Sequence, residues 1–294
     1  MRAGIRLSLW NKRAPCAQGG DRYAVLLLHG ATYSSRPDYD LQVRDYSLMN
    51  ALALAGFDVW ALDVHGYGYS QKENLPDRSD TVSAVKDVEA AVEYVLKSRG
   101  DAKLHLFGWS WGTQVAGSFA MLHGDKLASL TLYAPFWRGI DAWRKTAPPT
   151  ELRRSNVPAD MSDFVPGEYD PDVRAEYQRQ IEQVDPTSPT GSWVDLHTKL
   201  PMLDPRRICS PTLLIYGRQD PLSQTGDLLP FFEQLCAHDK RYVILPRGGH
   251  VVMLENDHRR FQREVIHFLR LQDAHDPRGA MRPTPQGSPC PCRS

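Results

Sequence analysis

Short apolar runs are spread along the chain, and most are followed by a stretch whose apolar residues return every three or four positions. The runs are "YAVLLLHG" (23–30), "FDVWALD" (57–63), "KLHLFG" (103–108), "LASLTLYAP" (127–135), "TLLIYG" (212–217) and "RYVILP" (241–246). Runs of this length, bounded by Gly, Pro or Asp, predict strands buried on both faces. Between them, "SLMNALALAGF" has helical spacing and stops at Gly56. "TVSAVKDVEAAVEYVLKSRG" puts Val85, Val88, Val92, Val95 and Leu96 on one helical face and stops at Gly100. "WGTQVAGSFAMLHG" follows the third run directly, and "LLPFFEQL" lies between the last two. "HRRFQREVIHFLRLQ" closes the series with Phe261, Val265, Phe268 and Leu269 on one face. These spacings predict helices with one apolar face, and glycine is a common C-terminal stop. Strand and helix in alternation predict an α/β fold: a mostly parallel central sheet with helices on both faces. At the N-terminus, Ile5, Leu7 and Leu9 alternate with Arg6 and Ser8, predicting a half-buried strand rather than a signal peptide.

Two segments interrupt the alternation. Residues 137–207 are Pro-rich and polar, with helical stretches such as "PDVRAEYQRQIEQV". An excursion of that length predicts a lid or binding segment. Residues 273–294 lack apolar periodicity and are dense in Pro and Gly, predicting a disordered tail. The expected organisation is a core of 1–136 and 208–272, a cap of 137–207 and the tail. No internal repeat is present.

Composition narrows the classes further. The chain has 294 residues, 41% hydrophobic and 24% charged, enough for one large domain with an inserted subdomain. Lys+Arg 35 balances Asp+Glu 35, so no global field favours nucleic acid or an anionic membrane. No apolar run approaches the roughly 18–20 residues of a membrane-spanning helix. Cys16, Cys209, Cys236, Cys290 and Cys292 show no zinc-type spacing and no CxxC, predicting free thiols in a cytoplasmic protein. Cys290 and Cys292 are read as part of the tail rather than as metal ligands.

The candidate chemistry centres on "GWSWG" (108–112), set between an apolar run and a helical one. A sharp strand-to-helix turn pushes its central side chain clear, here Ser110, and requires small residues two positions to either side. The turn also places Ser110 beside a helix N-terminus, where free N–H groups stabilise a developing oxyanion. A serine hydroxyl needs a base, and the base needs an orienting carboxylate. Downstream, "LLIYGRQDPLS" presents Asp220 at a strand end, and "ILPRGGHVVMLE" delivers His250 after Gly248-Gly249. Loops at the carboxyl ends of parallel strands converge on one edge, so the three residues can meet. Asp141, after the fourth strand, is the rival acid. Asp63, His29 and His65 read as anchors of the loops that carry them. His258, His267 and His275 fall on the last helix or the tail.

With these motifs in order, the chain resembles the α/β-hydrolase fold superfamily over about residues 23–272. "LLLHGA" is similar to that family's His-Gly-x loop, which implies that the Ala31 and Trp111 N–H groups form an oxyanion hole. "DVHGYGYS" (63–70) is similar to its Asp-x-Arg-Gly-x-Gly-x-Ser loop, with His65 where Arg is usual. The resemblance also implies that 137–207 is the inserted cap. Serine at the elbow implies an acyl intermediate; an epoxide hydrolase or haloalkane dehalogenase would carry Asp there.

The expectation is a serine esterase acting on a small ester, lactone or thioester, with Ser110, Asp220 and His250 catalytic and no metal or organic cofactor. The same parts also serve acyl transfer, cyclisation or C–C bond hydrolysis, and a ligand-binding protein without turnover is the reading from another class. Among the aromatics Phe136, Trp137, Trp143, Phe164, Tyr169, Tyr177 and Trp193, most are expected to pack the cap onto the core. Trp109, Trp111 and Trp137 are expected at the entrance, with Trp109, Trp137 and Trp143 as the substrate-binding tryptophans, favouring a substrate with an apolar or aromatic group. Arg144, Arg153 and Arg154 read as a solvated face. Nothing in the sequence sets the oligomeric state.

Overall fold

The computed structural model describes residues 4–14, 22–75, 78–156 and 163–274. Its strands and helices follow in the order β1 (Ser8–Lys12), β2 (Ala24–Leu28), α1 (Ser35–Tyr39), α2 (Leu48–Leu54), β3 (Asp58–Asp63), α3 (Thr81–Arg99), β4 (Leu104–Trp109), α4 (Trp111–His123) and β5 (Leu127–Tyr133). Then come α5 (Asp141–Lys145), β6 (Arg153–Ser155), α6 (Pro171–Val184), β7 (Thr187–Pro189), α7 (Gly191–Thr198), β8 (Thr212–Gly217), α8 (Thr225–Gln234), β9 (Lys240–Leu245) and α9 (His258–Ala274).

The seven-stranded sheet runs β1-β3-β2-β4-β5-β8-β9. All neighbours are parallel except β1, which pairs antiparallel with β3 at the edge. That edge strand starts at Ser8, within the Ile5–Leu9 alternation that predicts it, and runs on to Lys12. Every residue of β2, β3, β4 and β8 is buried, as strands covered on both faces must be. Alternate residues of β2 divide the core. Leu26 and Leu28 pack with Val88, Val92 and Val115 of α3 and α4, while Val25 and Leu27 pack with Leu52, Phe261 and Val265 of α2 and α9.

The chain between β5 and β8 carries α5, α6, α7 and a small antiparallel pair, β6 with β7. Helix α6 occupies the segment its apolar spacing predicts and buries Val173, Tyr177 and Ile181.

Two expectations are corrected. Cys209 and Cys236 form a disulfide, their Cα atoms 4.5 Å apart, so not all the thiols are free. The pairing spans β8 and α8 and has no local spacing signal, because the fold alone brings the two ends together. Asp273, expected as the first residue of the tail, lies instead within α9 and accepts hydrogen bonds from Tyr23 N–H and Arg22. Cys16, Cys290, Cys292 and the rest of the tail lie outside the described residues. No helix among the described residues is long and apolar enough to cross a membrane.

Candidate active site

Ser110 stands between β4 and α4 with φ of 54° and ψ of −122°, a conformation that L-residues adopt only under strain. The turn holds because its flanks are bare: a Cβ on Gly108 would sit 2.2 Å from the Gly112 carbonyl oxygen. The Ser110 N–H donates to the Tyr133 carbonyl (3.0 Å) and Thr113 N–H to the Ser110 carbonyl (2.9 Å), which fixes the elbow from both sides.

His250 and Asp220 reach the same edge from β9 and β8, with only β5 between β8 and β4. A Cβ on Gly217 would lie 2.4 Å from the Gly248 carbonyl oxygen, so the strand end before Asp220 and the loop before His250 touch through bare backbone. The His250 Nδ1–H donates to Asp220 Oδ2 at 2.9 Å, and His250 Nε2 lies 2.8 Å from the Ser110 hydroxyl, which donates to it when the imidazole is neutral. The proton on Nδ1 follows from the carboxylate, which can only accept. Asp220 Oδ1 accepts from the Leu222 N–H (2.8 Å) and Ser223 N–H (3.2 Å). All three side chains are buried. Asp141, the rival acid, is exposed and pairs with Arg144 instead.

The electrostatics bind the pair together. Burial pushes the His250 imidazole down, but the charge and hydrogen bond of Asp220, helped by Asp163 and Glu255, outweigh it and raise the pKa to about 9. Burial likewise acts to raise Asp220, and the facing His250 together with the Leu222 N–H holds it below the ordinary carboxylate value. Each group stabilises the charged form of the other.

The tryptophans of the elbow have separate tasks. Trp109 Nε1–H donates to the His250 carbonyl (3.0 Å), as does the Tyr133 hydroxyl (3.0 Å), so the elbow and β5 both hold the histidine loop. Trp111 is fully buried and donates from Nε1 to Thr81 Oγ1 at 2.9 Å; its backbone N–H opens α4, where no intrahelical acceptor exists. A cavity of about 50 Å³ opens onto Ser110 and His250, lined among others by Ala31, Tyr33, Trp109, Trp143, Asp163 and Trp193. Trp109 and Trp143 line this cavity, whereas the fully buried Trp111, also expected at the entrance, is not among its lining residues. Nor is Trp137: its indole donates to the Leu203 carbonyl (2.9 Å) and its ring packs against Phe231, away from the cavity. Its neighbour in sequence, Phe136, lines the cavity in its place.

The predicted loop anchors are of the expected kind. His29 Nδ1–H donates to the Gly30 carbonyl (2.8 Å) and Nε2 accepts from Val64 N–H (3.1 Å), with burial lowering its pKa to about 4. His65 pairs with Asp87, both fully buried. Asp63 accepts from the Trp10 indole, Ser35 N–H and Tyr69 N–H. Two residues escaped the sequence reading. Asp163 lines the cavity, and Glu255 accepts from both Gly249 N–H and Val165 N–H at 2.7 Å, tying the histidine loop to the segment before α6. Burial raises the Glu255 pKa to about 7 despite those two donors. Among the described residues, no His, Cys, Asp and Glu side chains group as metal ligands.

Comparison with known proteins agrees with this architecture. A family model described as the alpha/beta hydrolase fold matches residues 23–257. Epoxide hydrolase B of Mycobacterium tuberculosis is 36% identical over 121 residues, a region covering 40% of this chain and 30% of that protein. The chain therefore matches less than a third of the length of that curated relative. Among solved structures, a monoglyceride lipase variant from Saccharomyces cerevisiae in complex with a substrate analogue superposes with a TM-score of 0.71 at 18% identity, over 92% of each chain. A monoacylglycerol lipase from Paleococcus ferrophilus gives a TM-score of 0.69 at 20% identity, over 90% of this chain and 99% of its own. At such identities the superpositions establish the fold.

Proposed function

The chain belongs to the alpha/beta hydrolase fold family, and on that premise we propose that it is a serine hydrolase cleaving a small carboxylic ester, thioester or lactone. The observation that carries this reading is the continuous hydrogen-bonded chain from Ser110 through His250 to Asp220. In the reactive form His250 is neutral. It takes the Ser110 proton at Nε2 as Oγ bonds to the substrate carbonyl carbon, and Asp220 stabilises the imidazolium that results. The N–H groups of Ala31 and Trp111 hold the oxyanion. As the bond to the leaving group breaks, His250 returns the proton to the departing atom. A water then gives its proton to His250 and attacks the acyl carbon, and the acid leaves as Ser110 regains its hydrogen.

Residues 137–207 act as the cap in this reading, closing over the cavity. The serine argues against the alkyl-enzyme chemistry of an epoxide hydrolase, for which the elbow would supply a carboxylate. The cavity of about 50 Å³ favours a short acyl group over a long lipid chain. As for location, the Cys209–Cys236 bond supports an oxidising compartment over the cytoplasm that free thiols would suggest.

Hydrolysis of p-nitrophenyl acetate tests the proposal. Turnover is expected in the wild-type protein and a loss of roughly 10³-fold or more in Ser110→Ala and His250→Ala, of the order seen when a triad member is removed. A folded Ser110→Ala variant hydrolysing at the wild-type rate overturns it.

A further inference from the structure

The loop after β2 carries Ala31, whose N–H holds the oxyanion in the serine-hydrolase reading. Among the described residues, neither Ala31 nor Thr32 enters a backbone–backbone hydrogen bond of a turn or loop. Side chains hold this stretch instead, and three of them come from the insertion between β5 and β8. Asn156, just after β6, donates from Nδ2 to the Thr32 carbonyl at 3.1 Å. Asp185, which follows α6, accepts the Ser34 N–H at Oδ2 (2.9 Å) and the Gly68 N–H at Oδ1 (2.8 Å). The Ala31 carbonyl accepts from the Tyr67 hydroxyl at 2.7 Å, and Ser192 Oγ of α7 lies 3.3 Å from that hydroxyl and 3.5 Å from the carbonyl.

Asn156 and Asp185 are also fastened to each other. Asn156 donates from Nδ2 to the Asp185 carbonyl (3.0 Å) and from its backbone N–H to the Pro186 carbonyl (2.9 Å), while its Oδ1 accepts from the Ser188 hydroxyl (3.1 Å). Asn156, Asp185 and Ser192 are all buried. A buried polar network fixes one arrangement, because a shifted one leaves donors or acceptors unpaired.

From this clamp we propose that Asn156 and Asp185 are positioning residues for the oxyanion hole. The insertion sets where the Ala31 N–H points, and so acts on the chemical step as well as on access to the cavity. The inference rests on the serine-hydrolase reading and on Ala31 as an oxyanion donor. Such a donor helps only within hydrogen-bond reach of the oxygen whose charge develops in the transition state. Removing one outright costs roughly 10²–10³ in kcat, and one left present but misaimed forfeits part of that.

Two substitutions loosen the loop independently. Asp185→Asn keeps the shape but has a single acceptor oxygen, so its amide must set a donor against the N–H of Ser34 or of Gly68. Asn156→Ala removes the bond to the Thr32 carbonyl. In hydrolysis of p-nitrophenyl acetate by the folded variants, kcat and kcat/KM should fall together by about tenfold or more with KM unchanged. The second readout is inhibition by 1,1,1-trifluoropentan-2-one. Its carbonyl carbon takes the Ser110 oxygen, the Ser110 proton passes to His250, and the ketone oxygen becomes the oxyanion. Its affinity should fall by a similar factor, whereas that of pentan-2-one, bound without an adduct, should not change. A folded variant with the wild-type kcat, or a loss that falls on KM and on both ketones alike, overturns the positioning role while the hydrolase reading stands. Wild-type protein that neither hydrolyses the ester nor takes up a fluorophosphonate overturns both.

Discussion

His250 is held from three directions: Asp220 at Nδ1, Ser110 at Nε2, and the Trp109 and Tyr133 donors at its carbonyl. Its raised pKa has a signed consequence. The imidazole stays protonated until pH approaches about 9, and the neutral base needed for attack grows in only as pH rises through that value. The kcat/KM profile should therefore climb on a limb well above 6.5, the ordinary histidine value. In Asp220→Asn the limb should move toward lower pH and the plateau should fall by roughly 10³- to 10⁴-fold. With Asp220 ionised, the stabilisation that His250 gains from the pair is full below about 6.5 and fades as pH rises through about 9, while at the acid end it is lost as pH falls through the lowered pKa of Asp220. A pH–rate profile on both proteins checks this, and coincident limbs would contradict it. Single residues were legible where a strand end announced them. Ser110, Asp220 and His250 each follow an apolar run, so chain order and the convergence of loops were enough to place them together. Glu255 was hidden because its partner Val165 is 90 positions away in the chain, and no local pattern encodes that contact. Trp137 misled for the opposite reason: it is close in sequence to the entrance, but its indole finds the Leu203 carbonyl behind it.

Among the elements, the elbow between β4 and α4 is the least tolerant of change. With the Gly112 carbonyl oxygen 2.2 Å from where a Gly108 Cβ would stand, Gly108→Ala must push the turn open. The expected cost is roughly 1–3 kcal/mol of stability, with Ser110 displaced from His250 and activity lost beyond what stability alone explains. Thermal unfolding and ester turnover on the same sample check it; a variant with unchanged midpoint and rate would contradict the strain. Long elements were readable because their patterns have room to repeat. Val173, Tyr177 and Ile181 recur every fourth residue in α6, and all three are buried. The short ones were not. "SRPDY" in α1 makes barely one turn, and β6 with β7 consists of two three-residue strands, "RRS" and "TSP", with no alternation to read.

The whole molecule is a mostly parallel sheet with α5, α6, α7 and the β6–β7 pair inserted between β5 and β8. Parallel order follows from the alternation of runs and helices, but the sheet sequence β1-β3-β2-β4-β5-β8-β9 is a tertiary fact that no single run contains. The disulfide is of that kind too. Cys209 and Cys236 are both exposed and separated by 27 positions, so closing that loop should stabilise the fold by about 2–4 kcal/mol. Denaturant unfolding of wild type against the Cys209→Ser, Cys236→Ser double variant should show that difference. Equal stabilities, with every cysteine open to alkylation in unreduced unfolded protein, would contradict it. The central claim is that His250 and Asp220 activate Ser110, and the most direct measurement is intact mass after incubation with a fluorophosphonate, followed by mapping of the modified peptide. A single adduct on the peptide carrying Ser110, absent in folded Ser110→Ala, is the predicted result. No adduct on folded wild-type protein, or an adduct that survives in Ser110→Ala, would contradict the account.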